Sequence, residues 1–300
     1  MKIMKWVIYF FYNIYDCLSE KWEFVCGAFR YLYGVKGQSG FGSSSTADQV
    51  VESFSSSFST SFRLTAIITG ATSGIGEETA RVLAKRGVRV VMPARDMKKA
   101  GEVKERILKE SPEALLILME LDLSSFSSIQ SFCSKFLQLS LPLNILINNA
   151  GKFCRRLEHT TESFEMTFGT NYLGHYLLTK FLLKKLIETA SETEIEGRII
   201  NVTSVIHRWA TIEGFVFDDL LNPKNYNGTR AYAQSKLANL MHAKELTAQL
   251  RSPHLQERRA NVTVNSVHPG IVKTGIIRDH RGLITGIFLG SDIFCCSEVP

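Results

Sequence analysis

Residues 64–78 read LTAIITGATSGIGEE. A short apolar run (Leu64, Ala66, Ile67, Ile68) meets a turn that carries Gly70, Gly74 and Gly76. Beyond the turn, Ala80, Val82, Leu83 and Val88 follow a helical period. Strand, glycine turn and helix in that order open a dinucleotide-binding unit. The glycines let the backbone turn tightly and approach a pyrophosphate. The helix N-terminus then offers unpaired N–H groups and a positive dipole end to that anion.

The rest of the chain is consistent with that opening. From Leu64 onward strand and helix patterns alternate, with strands expected at 66–69, 88–93, 115–120, 145–148, 198–202 and 262–268. Such alternation predicts an α/β fold, a doubly wound parallel sheet with helices on both faces. Ligands in such sheets sit beyond the strand C-termini. With 300 residues and 45% hydrophobic content there is ample core. The net charge of +6 is scattered, and no Lys/Arg block is dense enough to bind nucleic acid. Cys17, Cys26, Cys133, Cys154, Cys295 and Cys296 form no C-x-x-C pair and have no His at metal spacing, so free thiols in a reducing compartment and no metal are expected.

Three regions follow from composition. Residues 1–36 are aromatic and apolar, but Lys5 and Asp16 interrupt the run, which is too short for a spanning helix. Trp22, Val25, Phe29 and Leu32 share one helical face. Peripheral membrane contact through residues 1–34 is the expectation; a helix docked on the protein's own surface or on a second copy is the alternative. No small-residue cleavage site follows the apolar run, and Asp16, Glu20 and Glu23 argue against a transit peptide. Residues 37–62 form a Gly/Ser-rich connector expected to hold little regular structure, with Phe41, Val50, Val51 and Phe54 able to dock. Residues 63–300 make the nucleotide-binding domain.

The loop spacing, Thr69-Gly-x-x-x-Gly-Ile-Gly76, resembles the short-chain dehydrogenase/reductase family, and the resemblance runs from about Leu64 to Thr274. It implies a Rossmann-like domain and a pyrophosphate cradle made by Gly70, Thr72, Ser73, Gly74, Ile75 and Gly76. The segment FGSSSTADQV is similar to the lead-in of a plant subgroup that includes an enzyme associated with the chloroplast inner-envelope protein translocon. The chain also resembles the retinol-dehydrogenase-like and WW-domain oxidoreductase branch. The resemblance implies a chloroplast inner envelope or another intracellular membrane surface, with the cytoplasm as the alternative. It also implies a homodimer or a translocon-type complex.

On the cofactor side, the second strand ends VVMPARD. An acidic residue there would accept from a ribose 2′-OH, but Ala94 and Arg95 stand in its place. Arg95 suits a 2′-phosphate, which favours NADP(H), while Asp96 keeps NAD open. Asp122 and Leu123 match the family's adenine-holding position; helix capping by Asp122 is the competing reading. Asn148-Asn149-Ala150-Gly151 matches the family's NNAG stretch, so Asn149, Ala150 and Gly151 are expected to line the nicotinamide side. After the last strand, Pro269, Gly270, Ile271 and Thr274 match the segment that meets the nicotinamide carboxamide.

On the chemical side, Tyr232 and Lys236 lie four apart in a helical pattern, hence on one face. A phenol titrates near pH 10. The nearby ammonium, together with a cationic nicotinamide, is expected to lower that value, and Lys236 and Tyr232 also to hold the nicotinamide ribose. Ser204 matches the family's catalytic serine, with Thr203 the adjacent alternative. Asn171 matches the helix asparagine that supports a water chain to the lysine. Asn171, Ser204, Tyr232 and Lys236 thus form the expected tetrad. The apolar residues Val205, Ile206 and Trp209 and the stretch GFVF imply a small lipophilic carbonyl or alcohol substrate. In the tail, 275–300, no substrate lid and last strand are legible, so a shortened end with an open sheet edge is expected. A nucleotide-sensing interaction protein docked on a membrane complex is the second reading.

Overall fold

The computed structural model describes residues 40–42, 45–53, 63–213, 226–251 and 261–269. The amphipathic segment, GFVF, Gly270, Ile271, Thr274 and the tail lie outside these residues.

Six strands build one parallel sheet: β1 (Thr65–Ile68), β2 (Arg89–Ala94), β3 (Leu116–Glu120), β4 (Ile145–Asn148), β5 (Gly197–Val202) and β6 (Val262–Val267). Their order is β3-β2-β1-β4-β5-β6, and every pairing is parallel. The order reverses between β1 and β4, which opens a crevice at the C-terminal ends of these two strands. Each expected strand is found to within a residue.

Seven helices of seven or more residues accompany the sheet among the described residues: α1 (Ala47–Ser53), α2 (Gly74–Lys85), α3 (Met97–Glu110), α4 (Phe126–Gln138), α5 (Gly174–Thr193), α6 (His207–Glu213) and α7 (Gly228–Leu250). Alternate strand residues face opposite sides, so the sheet feeds two cores. Ile67, Leu146 and Ile199 pack with Phe132, Phe136, Leu178, Leu182 and Leu246 of α4, α5 and α7. Ile68, Val90 and Met92 pack with Ala80, Ala84, Val103 and Ile107 of α2 and α3. Side chains fully buried on both faces explain why the strands read as apolar runs.

The connector departs from expectation. Ala47–Ser53 is helical, opened by a capping box. Gln49 N–H donates to Thr46 Oγ1 at 3.2 Å, and Thr46 N–H donates to Gln49 Oε1 at 2.9 Å. Asp48 then reaches α2, 2.7 Å from Arg81 and 3.1 Å from Lys85. Hydrogen bonds from Arg81 and Lys85 hold the Asp48 carboxyl below its ordinary range. The Ser-rich composition hid a local capping signal strong enough to start a helix.

One further irregularity prepares the site. Before α5 the chain makes a wide turn, Gly169–Leu173, closed by Gly174 N–H on the Gly169 carbonyl. Such π-type turns break the regular ladder and release backbone carbonyls for other partners. Asn171 sits in the middle of it.

Candidate active site

The glycine loop is fitted against the end of β4. Gly70 has φ +68°, and a Cβ there would come 2.9 Å from Ala150 Cα. A Cβ on Gly76 would collide with the Gly70 carbonyl and the Asn149 side chain. Ser73 precedes α2 in extended conformation and makes no side-chain cap bond. The first turn of α2 therefore keeps the anion-binding character its sequence implies, with Thr72, Gly74 and Ile75 in the same bend.

Thr69 ties this loop to the NNAG stretch. Its Oγ1 accepts from Asn149 N–H at 2.9 Å and Ala150 N–H at 3.0 Å. The Asn149 amide returns a bond to the Thr69 carbonyl at 2.8 Å. Asn149, Ala150 and Gly151 are half-buried beside the loop. Asn148 is buried and bonds Thr179 and Asn201 at 3.0 and 2.8 Å, holding β4 to α5 and β5.

At the end of β2, Arg95 is exposed. The Asp96 carboxylate accepts from Lys99 N–H at 3.0 Å as the N-cap of α3. Asp122 does not cap a helix: its Oδ1 accepts from Ser124 N–H and Oγ–H at 2.9 and 2.6 Å, while Ser125 caps α4. The competing reading of Asp122 is thereby removed. Leu123 is buried, with its carbonyl pressed against Gly174. Pro269 is half-buried beyond β6.

Tyr232 and Lys236 share one face of α7, with Lys236 Nζ 5.5 Å from the Tyr232 ring centroid. The ammonium donates to the Val202 carbonyl at 2.8 Å. The Tyr232 ring meets Phe153 edge-on, with centroids 6.0 Å apart, and its hydroxyl bonds no described residue. Burial pushes the Tyr232 phenol up to about 12 and Lys236 down to about 8. The expected lowering calls on a cationic nicotinamide as well as Lys236; from the chain's own groups alone, burial dominates and the ammonium points at a backbone carbonyl.

Thr203 and Ser204 follow β5. The Thr203 hydroxyl donates to the Lys236 carbonyl at 3.1 Å, which fastens α7 to the sheet. Thr203 is therefore committed to structure. Ser204 Oγ only accepts, from Ile206 N–H at 3.4 Å, so its proton stays available.

Asn171 is fully buried. Its Oδ1 accepts from Lys152 N–H at 2.7 Å, and its Nδ2 donates to the Lys152 carbonyl and Ser235 Oγ at 3.0 and 3.1 Å. Its carbonyl accepts from His175 Nδ1 at 2.9 Å and Asn239 Nδ2 at 3.2 Å. Both carbonyl lone pairs are thus occupied. Asn171 thereby clamps the loop after β4 to α7.

Thr69 and His175 take part in this arrangement without having been singled out from the sequence. The readable signal for His175 was its place four residues after Asn171, one helical turn away. Cys133 and Cys154 are free and buried, and burial raises both thiols. Among the described residues no cluster of His, Cys, Asp and Glu could hold a metal ion.

A parallel 3-2-1-4-5-6 sheet, a glycine cradle at its reversal point and a Tyr-x-x-x-Lys helix beside it define an oxidoreductase that uses a nicotinamide nucleotide. The comparisons agree. Residues 64–217 match the family model for short chain dehydrogenases. Short-chain dehydrogenase TIC 32 B, chloroplastic, of Brassica napus is 45% identical over 267 residues, covering 89% of this chain and 80% of that protein. Retinol dehydrogenase 12 of Mus musculus is 40% identical, covering 71% of this chain and 63% of that one. Among solved structures, Pseudomonas aeruginosa RhlG in its NADP active-site complex is 25% identical with a TM-score of 0.57, covering 74% of this chain and 77% of that one. The chain belongs to the short-chain dehydrogenase family.

Proposed function

We infer that this chain is an NADP-dependent oxidoreductase that moves hydride between nicotinamide and a lipophilic carbonyl or alcohol, by way of Tyr232, Lys236, Ser204 and Asn171. The observation that carries the reading is Tyr232 and Lys236 on one face of α7, with Lys236 fixed to the Val202 carbonyl at the C-terminal end of β5, two residues ahead of Ser204.

The residues fit the cofactor. Gly70 and Gly76 let the loop fold tightly onto Asn149 and Ala150, which brings the first turn of α2 to the strand ends where a pyrophosphate would approach. The preference for the 2′-phosphorylated form rests on Arg95, exposed at the end of β2, and on Asp96, whose carboxylate is committed to capping α3. Asn149, Ala150, Gly151, Pro269, Gly270, Ile271 and Thr274 would hold the nicotinamide end. When bound, the nicotinamide supplies or accepts the hydride.

The chain itself handles the proton and the charge. A Tyr232 phenol held near 12 is protonated at neutral pH, so it is set to donate to a carbonyl oxygen as that oxygen gains charge. The free Ser204 hydroxyl proton points the same oxygen toward Tyr232 and stabilises it. Lys236 places a cation behind the phenol, fixed by Val202. These roles favour reduction. The lipophilic substrate class is supported by Val205 and Trp209, which are 46% and 49% exposed just after Ser204, and by the retinol dehydrogenase relatives. A chloroplast location is supported by the names of the Brassica napus relatives. No helix among the described residues is long and apolar enough to cross a membrane, and attachment to an envelope surface or a translocon-type complex rests on the resemblance alone.

The test is a fluorescence titration with NADPH and NADH, followed by a carbonyl-substrate screen of the wild-type chain and Tyr232→Phe. Tight NADPH binding, and turnover that Tyr232→Phe abolishes, support the reading. Nucleotide binding with no turnover, and partner capture untouched by Tyr232→Phe, would favour the nucleotide-sensing interaction protein.

A further inference from the structure

His175 is 2% exposed, yet both ring nitrogens are engaged. Nδ1 lies 2.9 Å from the Asn171 carbonyl, which can only accept, so Nδ1 carries a proton. Nε2 lies 2.8 Å from Thr69 Oγ1. That hydroxyl oxygen already accepts from Asn149 N–H and Ala150 N–H. Two bonds exhaust its lone pairs, so it has no room for a third donor. The Thr69 proton has two acceptors in reach, Nε2 at 2.8 Å and the Ile147 carbonyl at 3.3 Å, and the shorter contact assigns it to Nε2; with Nδ1 protonated, Nε2 of the neutral ring is bare. Counting donors and acceptors thus fixes one neutral tautomer, without appeal to titration. The strong burial, which pulls this imidazole down to about 4, is in accord with that count.

The result is a one-way chain of hydrogen bonds. It runs from the Asn149 and Ala150 amides to Thr69, from Thr69 to His175, and from His175 to the Asn171 carbonyl. Asn171 continues through Nδ2 to Ser235, and Ser235 donates to the Tyr232 carbonyl at 2.7 Å. The first members lie on the glycine cradle, and the last is the backbone of the catalytic tyrosine. Every link between Thr69 and Ser235 is buried, so water cannot readily substitute for a missing partner.

We propose that His175 is a positioning residue, held as the neutral Nδ1–H tautomer, which couples the nucleotide-binding backbone at Thr69–Ala150 to the placement of Tyr232 through Asn171. His175 touches neither cofactor nor substrate; it acts through Thr69 on one side and Asn171 on the other. The coupling rests on the nucleotide-binding reading given above, whereas the tautomer does not. The Asn171 carbonyl that receives His175 lies in the wide turn Gly169–Leu173, where the helical ladder is irregular.

Two measurements test this. In ¹⁵N-histidine spectra of the wild-type chain, the His175 ring is expected to show a protonated Nδ1 and a bare Nε2, unchanged from pH 8 to pH 5. A protonated Nε2, or titration near the ordinary value, would overturn the bridge whether or not the chain binds nucleotide. The second is a double-mutant cycle on NADPH affinity with Thr69→Val and His175→Phe. Each single change is expected to weaken binding about tenfold, and the double change no more than the worse single. Thr69→Ser keeps the hydroxyl and should retain most of the affinity that Thr69→Val loses. Additive losses, or a Thr69→Ser variant as weak as Thr69→Val, would sink the proposal. If His175→Phe fails to fold, the Thr69 pair and the spectra still decide. A wild-type chain that binds no NADPH would remove the functional reading and the coupling, and leave the tautomer to be read by itself.

Discussion

Lys236 Nζ donates to the carbonyl of Val202 at 2.8 Å, across the junction between α7 and the C-terminal end of β5. The lysine is 3% exposed. A buried ammonium with one backbone partner is poorly solvated, which is why its proton is held loosely, near 8. The same bond fixes the distance from β5 to Tyr232. Structure and proton chemistry are thus joined in one contact.

A pH prediction follows from that lysine. Its folded value, about 8, lies below its ordinary value of 10.5, so the unfolded chain binds more protons between these limits. Lys236 therefore contributes stability present above pH 10.5 and lost as pH falls toward 8. Tyr232 acts oppositely between 10 and about 12, where its raised value makes stability fall. The buried thiols of Cys133 and Cys154 oppose this above about pH 9, so urea unfolding should show rising stability in the wild-type chain from pH 8 to pH 9. Lys236→Met should lack this rise; an identical slope in the variant would refute the assignment.

The glycine cradle gives a second prediction. In Gly76→Ala the new methyl meets the Gly70 carbonyl and the Asn149 amide, neither of which is a loose side-chain tip. We expect a loss of roughly 1–3 kcal/mol in folding stability from overpacking, with NADPH affinity at least tenfold weaker. Gly87→Ala is a poor control because of its positive φ, whereas Gly101→Ala, with nothing within 4 Å and a place inside α3, should leave NADPH affinity unchanged and raise stability by about 0.5–1 kcal/mol.

Arg95 decides between the two nucleotides. Arg95→Ala should weaken NADPH binding about ten- to a hundredfold, the worth of one or two charge-assisted hydrogen bonds, and leave NADH within about twofold. Equal loss for both nucleotides would place Arg95 elsewhere than at the 2′-phosphate.

The capping box gives a fourth test, remote from the chemistry. Thr46→Ala should cost about 1 kcal/mol by urea denaturation and leave nucleotide affinity unchanged. Asp48→Asn should cost less, since partly exposed ion pairs of this kind contribute about 0–1 kcal/mol.

The sheet and its reversal point were legible because strands buried on both faces must be apolar, and the loops between them had to carry turn residues. Tyr232, Lys236 and Ser204 were legible because helical spacing and strand ends put them at one edge. The roles of Thr69 and His175 were not: each takes its meaning from partners 80 and 106 residues away in sequence, and hydrogen-bond counting needs coordinates. The burial of the Tyr232 phenol was not legible for a related reason. A neighbouring charge can be read from spacing, but the burial that outweighs it depends on packing from several elements. The short α1 was overlooked because composition was weighed above the Thr46–Gln49 pair.

The docking of α1 has a geometric consequence. Asp48 grips Arg81 and Lys85 in the second half of α2, while the glycine loop sits at the other end of that helix. Eleven helical steps from Gly74 to Lys85 amount to about 16 Å. The contact that docks α1 and the loop that cradles a pyrophosphate thus draw on different stretches of the same helix, and a change in one need not disturb the other.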